Sequence, residues 1–277
     1  MSGAATAVVT VVSGRHDHLA VQEAGLAASE VTAGIRVLVS MSDPAIKDLA
    51  AADAHVIECD STAGELPLAL ARNLGAQRGL DLGAELLIFL DVDCVPGSTL
   101  IGRYIDAYHR VDGDALFAGP VTYLPPSSCG YRVESLPQLT DPHPARPAPA
   151  QGALVIEPNH DLFWSLSFGV SAATWRRIGG FCEDYVGYGA EDTDFAATAA
   201  AQGIPLIWVG GADAYHQHHP VSDPPIEHLE DIVANARIFR GRWGRWPMPG
   251  WLDAFEERGM LTRNGEQIAV TTRGSVT

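Results

Sequence analysis

Apolar runs alternate with helix-like segments in the first part of the chain. The apolar runs are short and bounded by turn residues, as is typical of buried strands. Strands are predicted at residues 6–12, 35–39, 55–58 and 86–90, and helices at residues 18–29, after Asp43-Pro44, and at residues 67–79. Because strands that alternate with helices form βαβ units, this pattern predicts an α/β fold built on a parallel sheet.

The second part of the chain has a less regular pattern. A helix is predicted at residues 99–111, and strands at residues 115–121, 163–171 and 204–209. Residues 125–158 hold eight of the 18 prolines, which predicts a long surface excursion without regular structure. The segment at residues 221–277 carries three tryptophans and is expected to pack against the main domain. We therefore predict a single domain at residues 1–220 with a C-terminal extension.

Composition limits the classes of protein to which the chain can belong. The 277 residues are 47% hydrophobic and 19% charged, which is typical of a globular protein. The net charge of -16 gives no electrostatic basis for DNA or RNA as the main partner. The four cysteines form no CxxC pair, so no structural zinc site is expected. The sequence shows no leader pattern and no apolar run of about 18 residues, so a cytoplasmic protein without a transmembrane segment is expected.

The stretch LLIFLDVDCVPG, at residues 86–97, is the first candidate for a functional site. Asp91 and Asp93 come directly after a buried strand, and ligands of α/β sheets bind outside the carboxyl ends of strands. In an extended chain, residues two apart point to the same side. The two carboxylates are therefore expected to converge on one Mg²⁺ or Mn²⁺ ion, although two solvated acids at a strand end would have the same sequence.

A second acidic cluster lies at residues 179–195, with the sequence GGFCEDYVGYGAEDTDF. Its glycines permit a close backbone approach to a ligand. Glu191, Asp192 and Asp194 then fall in the first turn of a predicted helix that stops at Gly203. Acids in a first turn also stabilise the helix dipole, so one of them could act only as a cap. Three acids behind a glycine-rich loop favour a chemical role for at least one.

Three histidines follow the predicted strand at residues 204–209. His216, His218 and His219 are concentrated within four positions, which favours a metal-binding role over three unrelated surface residues. Imidazole ligands added to carboxylates suit Mn²⁺ better than Mg²⁺. The pattern leaves open which of the three histidines binds the ion.

Taken together, these stretches resemble a glycosyltransferase of the GT-A fold, close to family 2 and with a galactosyltransferase-type C-terminal region. That region is shared with β-1,4-galactosyltransferases, chondroitin polymerases and polypeptide N-acetylgalactosaminyltransferases. The stretch Asp91-Val92-Asp93 is similar to the family's DxD, and residues 179–195 resemble its GGFDE…G-x-G-x-ED-x-D block. The resemblance implies a Rossmann-like GT-A domain with a mixed, mainly parallel sheet. Its nucleotide-binding half would lie at about residues 1–97 and its acceptor and catalytic half at about residues 98–220.

The resemblance also implies roles for the residues of the second block. Asp192 matches the catalytic base, and Glu191 matches a residue that binds acceptor hydroxyls. Tyr188 stands where galactosyltransferases have a tryptophan that lines the sugar site, and Gly189 lies beside it.

Metal and nucleotide contacts are implied elsewhere in the chain. The expected metal ligands are Asp91, Asp93 and His216, with His218 as a further candidate. Nucleotide-sugar contacts are expected from Arg15 after the first strand, from Arg72 and Asn73 in an ARN-x-G helix, and from Asp91 and Asp93. Residues 40–43 occupy the place of the family's usual Asp-Asp-Gly-Ser.

The implied activity is metal-dependent, inverting transfer of a hexose from a UDP-sugar to an acceptor hydroxyl. The hexose would be of the galactose, N-acetylgalactosamine or glucose type, and the acceptor a glycan, lipid or small molecule. One alternative is a haloacid-dehalogenase-type phosphatase with Asp91 as nucleophile. That class has its Asp-x-Asp on the first strand and needs a later lysine or arginine, whereas the only lysine here is Lys47. The other alternative is a non-catalytic module that binds nucleotide sugars.

Overall fold

The structure of the chain is a computed structural model that describes residues 4–61 and 66–271. Its strands are β1 (Thr6–Val12), β2 (Ile35–Met41), β3 (His55–Cys59), β4 (Leu86–Leu90), β5 (Cys94–Pro96), β6 (Leu116–Ala118), β7 (Val121–Tyr123), β8 (Leu154–Glu157), β9 (Ser167–Ser171), β10 (Leu206–Val209), β11 (Ala214–His216), β12 (Leu261–Asn264) and β13 (Gln267–Val270). Its α-helices are α1 (His16–Ala27), α2 (Ile46–Leu49), α3 (Leu68–Asp81), α4 (Leu100–Arg110), α5 (Ala172–Ile178), α6 (Glu191–Ala201), α7 (Leu229–Trp243) and α8 (Pro249–Glu257). Short 3₁₀ helices lie at Val133–Leu139, His160–Leu162 and Ile226–His228.

The central sheet has the strand order β3-β2-β1-β4-β9-β6-β10-β8. β3, β2, β1 and β4 are parallel, as are β6 and β10, whereas β9 and β8 run antiparallel to their neighbours. Every residue of β1 and β4 is buried, because the sheet has packed layers on both faces and its inner strands are apolar throughout. The predicted α/β fold with a mixed, mainly parallel sheet is confirmed.

A small second sheet has the order β5-β11-β7 and brings distant residues together. The strand predicted at residues 115–121 is in fact two strands, since the chain leaves the central sheet at Gly119 and Pro120. A Cβ at Gly119 would lie only 2.0 Å from the Ala212 carbonyl oxygen, and proline has no N–H to donate to a ladder. In this second sheet His216 pairs with Cys94 on one side and with Tyr123 on the other.

The proline-rich segment at residues 125–158 is more ordered than expected. It contains a 3₁₀ helix and the strand β8, so the prediction that it lacks regular structure was wrong. β8 forms in the proline-free stretch between Pro149 and Pro158 and pairs antiparallel with β10 at the sheet edge. The segment also buries Leu136 and Arg146, so it is not only a surface excursion.

The C-terminal extension packs on the loop that precedes α6. Asp194 is 1% exposed, and its Oδ1 accepts hydrogen bonds from Tyr185 at 3.1 Å and from Arg242 and Trp243 at 2.7 Å each. The Asn235 amide donates to three carbonyl oxygens of the same loop. Asp194 therefore joins α6 to α7. Among the described residues, no helix has the length and apolar character needed to cross a bilayer.

Candidate active site

The Asp91-Val92-Asp93 stretch forms a turn at the carboxyl end of β4. β4 ends at Leu90, and the Cys94 amide donates to the Asp91 carbonyl oxygen at 2.8 Å. The expectation that Asp91 and Asp93 lie in an extended chain was therefore wrong, and the alternation of a strand does not apply in this turn. The two carboxylates have different partners instead. Binding of one cation by both carboxylates stays a prediction.

A buried arginine joins the end of β4 to the start of α6. Arg72 of α3 is 3% exposed, and it donates from Nη2 to Asp91 Oδ1 and from Nη1 to Glu191 Oε1, both at 3.0 Å. Glu191 Oε2 is buried and has no hydrogen-bond partner among the described residues. Arg72 therefore joins the two predicted acidic stretches. Removing it would leave buried carboxylates without their partner, which is costly.

Asp93 lies in a group of side chains that can hold a divalent cation. Its Oδ1 is 3.5 Å from His216 Nε2, and its Oδ2 is 3.5 Å from His219 Nε2 and 3.1 Å from Arg15 Nη1. One ligand atom from each of Asp93, His216 and His219 lies within 4.8 Å of the others. Asp93 Oδ1 is buried without a hydrogen-bond partner in the described part of the chain. A carboxylate with two imidazoles suits Mn²⁺, so these residues fit the predicted ion.

The charge states within this group also suit a cation. Burial lowers the pKa of His216, so its imidazole is neutral at pH 7 and has a lone pair for a metal. Burial raises the pKa of Asp93, but His219, His216 and Arg15 outweigh that effect and hold the pKa at about 2. The Asp93 carboxylate is therefore ionised throughout the physiological range.

The neighbouring histidine, His218, lies outside the group. It is exposed, and its backbone N–H donates to the Tyr131 hydroxyl at 3.2 Å. Among the histidines left open by the sequence, the geometry favours His219 beside His216. Asp91 is not in the group either, because its carboxylate pairs with Arg72, and its role as a metal ligand stays a prediction.

Asp192, the predicted base, lies in the first turn of α6. Its Oδ1 accepts hydrogen bonds from the Thr193 N–H at 2.7 Å and the Thr193 hydroxyl at 3.2 Å. Burial and the adjacent Glu191 carboxylate raise the pKa of Asp192 to about 7, against the opposing effect of Arg72. A carboxylate that titrates near pH 7 accepts a proton more readily than an exposed one.

The glycines before α6 make room for the C-terminal extension. A Cβ at Gly187 would lie 2.3 Å from Asp231 Oδ2, and a Cβ at Gly189 would lie 3.0 Å from Met248 Sδ. Both glycines have positive φ values, of 76° and 93°, which other residues rarely adopt. The groups that come close to these two glycines are therefore the Asp231 and Met248 side chains. Contact of Gly189 with a sugar stays a prediction.

Tyr188 and Asn73 both make contacts within the protein. The Tyr188 ring stacks on His228 at 4.4 Å and lies 5.7 Å from the Trp251 ring, both measured between centroids. The Asn73 amide bonds to both the N–H and the carbonyl oxygen of Phe181, at 2.9 Å each. These contacts position the loop before α6, and direct contact of either residue with a nucleotide sugar stays a prediction.

Residues that the sequence did not indicate form one wall of the site. The Tyr123 ring stacks on His216 at a centroid distance of 4.6 Å, and His143 lies 5.3 Å from Tyr123 and 5.2 Å from Trp164. The Arg146 guanidinium lies 4.3 Å from the centroid of the Trp164 ring. These residues have no motif or periodic spacing, so no local signal in the sequence could have identified them.

A cavity of about 750 Å³ opens beside the histidine group. Its lining includes His18, Gln217 and His218, together with residues of the segment around Tyr131. The His18 ring lies 6.3 Å from the His219 ring. Cavities of roughly 300–1,000 Å³ are typical of small-molecule sites, so a nucleotide-sized ligand has space next to the candidate metal ligands.

Comparisons with known proteins find similar sequences over part of the chain. Residues 159–220 match the family model described as the N-terminal domain of galactosyltransferase. Two validoxylamine A glucosyltransferases, from Streptomyces hygroscopicus subsp. jinggangensis (strain 5008) and subsp. limoneus, are each 43% identical to the chain over 44 residues. The aligned stretch is 16% of this chain and only 10% of each relative.

Solved structures share the fold at low sequence identity. The structure of GalNAc-T7 with UDP, GalNAc and Mn²⁺ aligns with a TM-score of 0.61 and 13% identity, over 86% of this chain and 48% of that chain. Mannosyltransferase PcManGT from Pyrobaculum calidifontis, in complex with GDP-Man and Mn²⁺, gives 0.55 and 15%, over 92% and 70%. TarS 1-349 of S. aureus gives 0.53 and 12%, over 84% and 63%.

The chain therefore has the GT-A fold of these solved glycosyltransferase structures. The segment at residues 159–220, which is similar to the galactosyltransferase family, contains Glu191, Asp192 and His216. The resemblance inferred from the sequence is confirmed.

Proposed function

We propose that the chain is a metal-dependent glycosyltransferase that moves a hexose from a UDP-sugar to an acceptor hydroxyl with inversion, using Asp192 as the base. The Arg72 bridge is the observation that carries the proposal. It ties the end of β4, next to the histidine group, to the α6 terminus that bears Glu191 and Asp192. A donor bound at the histidine group would therefore present its sugar towards two carboxylates.

The side chains present can divide the work of such a transfer. A divalent ion held by Asp93, His216 and His219 would neutralise charge on the leaving diphosphate. Asp192 would take the proton from the acceptor hydroxyl as that oxygen attacks the anomeric carbon from the face opposite the diphosphate. Glu191 Oε2, which has no hydrogen-bond partner among the described residues, is free to accept a hydrogen bond from a second acceptor hydroxyl.

Two alternatives were left open by the sequence. A phosphatase mechanism needs Asp91 as a free nucleophile, but its carboxylate accepts a hydrogen bond from the buried Arg72, and its strand is the fourth along the chain. A non-catalytic module would bind the donor through the same residues. Only binding followed by a transfer or hydrolysis assay separates such a module from an enzyme.

The first experiment should identify the nucleobase of the donor, because GalNAc-T7 is described with UDP and PcManGT with GDP-Man. A panel of UDP- and GDP-sugars is screened by thermal shift with and without Mn²⁺, followed by hydrolysis assays on the ligands that bind. We expect stabilisation by UDP-hexoses that requires Mn²⁺, with slow hydrolysis. Binding without any hydrolysis or transfer would support the module instead, and no binding would refute the proposal.

Replacing His219 by alanine is expected to weaken Mn²⁺ binding by about tenfold or more, since metal affinity depends on each ligand and its support. The matched control is His218→Ala, which removes an exposed imidazole one position away and should leave Mn²⁺ affinity unchanged. Isothermal titration of Mn²⁺ alone, without nucleotide, measures both. Equal affinities in the two variants would contradict the assignment of His219.

The pH profile of transfer should have an acid limb near pH 7. Asp192 must be ionised to act as a base, and its pKa is raised to about 7, so kcat/KM should fall as pH drops below that value. The Thr193 hydroxyl lowers this pKa by its hydrogen bond, so Thr193→Val should move the limb to higher pH. Profiles measured from pH 5.5 to 8.5 at saturating Mn²⁺ test this. A limb that stays in place in Thr193→Val would belong to another group.

A further inference from the structure

Arg146 carries a buried positive charge that forms no ion pair with any carboxylate in the described part of the chain. Two arginines are buried among the described residues, Arg72 at 3% and Arg146 at 7% exposure. Arg72 bonds to two carboxylates, whereas Arg146 Nε and Nη2 are buried without any hydrogen-bond partner in the described ranges. An unpaired buried guanidinium destabilises a fold, and groups of this kind in native structures need an explanation.

The guanidinium lies at the end of the ring layer that begins at the candidate metal ligands. It is 4.3 Å from the centroid of the Trp164 ring and 5.7 Å from that of Trp208. The layer of His143 and Tyr123 leads from there to His216. Burial lowers the pKa of Arg146, and the Asp192 carboxylate is among the charges that oppose this effect. The ring contacts place Arg146 at the far end of this layer from His216.

The backbone that carries Arg146 is held in place. The His143 amide donates to the Val121 carbonyl oxygen at 3.0 Å, and the Arg146 amide donates to the His143 carbonyl oxygen at 3.1 Å. The Thr122 hydroxyl accepts a hydrogen bond from the Asp141 amide at 3.0 Å. These contacts fasten the segment to β7, and the Trp164 ring packs against the guanidinium.

The charges around the site indicate which kind of ligand the Arg146 guanidinium would bind. Arg15 and Arg72 are already paired with carboxylates. The chain as a whole has a net charge of -16, so an anionic donor would enter an unfavourable field. A planar guanidinium with free N–H donors is suited to bind a phosphate or carboxylate in a bidentate manner.

We propose that Arg146 is a substrate-binding residue whose guanidinium receives an oxyanion of the nucleotide-sugar donor. The inference rests on the proposed function and goes beyond it, because it names a side chain that would meet the donor's charge in addition to the metal ion. The oxyanion belongs either to the diphosphate or to a carboxylate on the transferred sugar, as in a uronic acid.

Titrations of wild type and Arg146→Met with UDP, UDP-glucose and UDP-glucuronic acid, each with Mn²⁺, separate these sources. We expect at least a tenfold loss of affinity in Arg146→Met. A loss already present with UDP assigns the diphosphate, and a loss confined to UDP-glucuronic acid assigns a sugar carboxylate. Equal affinities for all three ligands would overturn the inference, as would a loss confined to UDP-glucose, which would indicate a hydroxyl contact. Wild-type protein that binds none of the three would refute the proposed function itself.

Thermal unfolding of the ligand-free protein separates a binding role from a structural one. Removing an unpaired buried charge should leave the Tm of Arg146→Met unchanged or higher than wild type. A lower Tm with unchanged affinities would mean that the stack on Trp164 is structural, and would overturn the inference.

If Arg146→Met does not fold, Arg146→Lys carries the test, since it keeps the charge but loses the bidentate fork. Arg103→Met is the matched control. It removes an arginine whose buried Nε has no hydrogen-bond partner among the described residues and which lies against Gly152 and Gly211, so it should keep wild-type affinities.

Discussion

Replacing Asp192 by asparagine is expected to lower the rate of sugar transfer by about 10²–10⁴-fold, the range typical of losing a general base. Asparagine has nearly the same shape and can still accept the Thr193 N–H hydrogen bond at 2.7 Å, so α6 should begin as in wild type. Because Asp192 acts on the acceptor hydroxyl and not on the nucleotide, the affinity for the donor should be retained. Transfer rates and donor titrations on the same preparation measure the two effects separately.

The same variant should be more stable than wild type at high pH. The pKa of Asp192 rises from an ordinary value of 3.8 to about 7 in the folded protein, so its ionisation opposes folding progressively as pH rises through that interval. The gain in Tm of Asp192→Asn over wild type should therefore be larger at pH 8 than at pH 5. Undiminished turnover, or a loss of turnover that accompanies a lower Tm at pH 8, would count against Asp192 as the base.

Asp194→Ala, two positions along the same helix turn, is expected to have the opposite effect. Asp194 is buried, and its carboxylate accepts hydrogen bonds from Tyr185, Arg242 and Trp243. Removing it leaves the buried Tyr185 hydroxyl and the Trp243 N–H without their acceptor, which should lower the free energy of unfolding by about 2–4 kcal/mol. Urea unfolding followed by tryptophan fluorescence measures this loss.

The two aspartates serve as controls for each other. Asp192→Asn should lose transfer without losing stability, whereas Asp194→Ala should lose stability while its folded fraction still transfers sugar. An Asp194→Ala protein that unfolds like wild type but has no activity would mean that the chemistry belongs to Asp194. In that case the Asp194 carboxylate would be a catalytic group as well as the acceptor of hydrogen bonds from Tyr185, Arg242 and Trp243.

The elements with a strong local pattern could be predicted from the sequence. β1, β2, β3 and β4 follow apolar runs, and α3 and α4 follow helical spacing, so their positions were correct to within about two residues. The acidic first turn of α6 indicated a site because three carboxylates in one helix turn exceed what capping needs. Asp194 then proved to hold the C-terminal extension, a contact made across about 50 residues that no local pattern encodes.

What the sequence could not predict depends on long-range contacts. The turn after Leu90 separates Asp91 from Asp93, and it forms because β5 pairs with β11 rather than extending β4. Beside the same pairing, the Gln217 backbone N–H donates to the Asp93 carbonyl oxygen at 2.7 Å, close to both candidate metal-ligand histidines. Arg146 lies in a proline-rich segment with no periodicity, so the sequence gives no sign that it is buried. Its burial against Trp164 is visible only in the structure.

Locating the metal and the donor sugar together tests the central claim most directly. Crystals grown with Mn²⁺ and a non-hydrolysable UDP-hexose should give an anomalous scattering peak bonded to Asp93, His216 and His219. The anomeric carbon should lie between that peak and the Asp192 carboxylate, with the carboxylate on the face opposite the diphosphate. A metal peak bound elsewhere, or an anomeric carbon turned away from Asp192, would contradict the account.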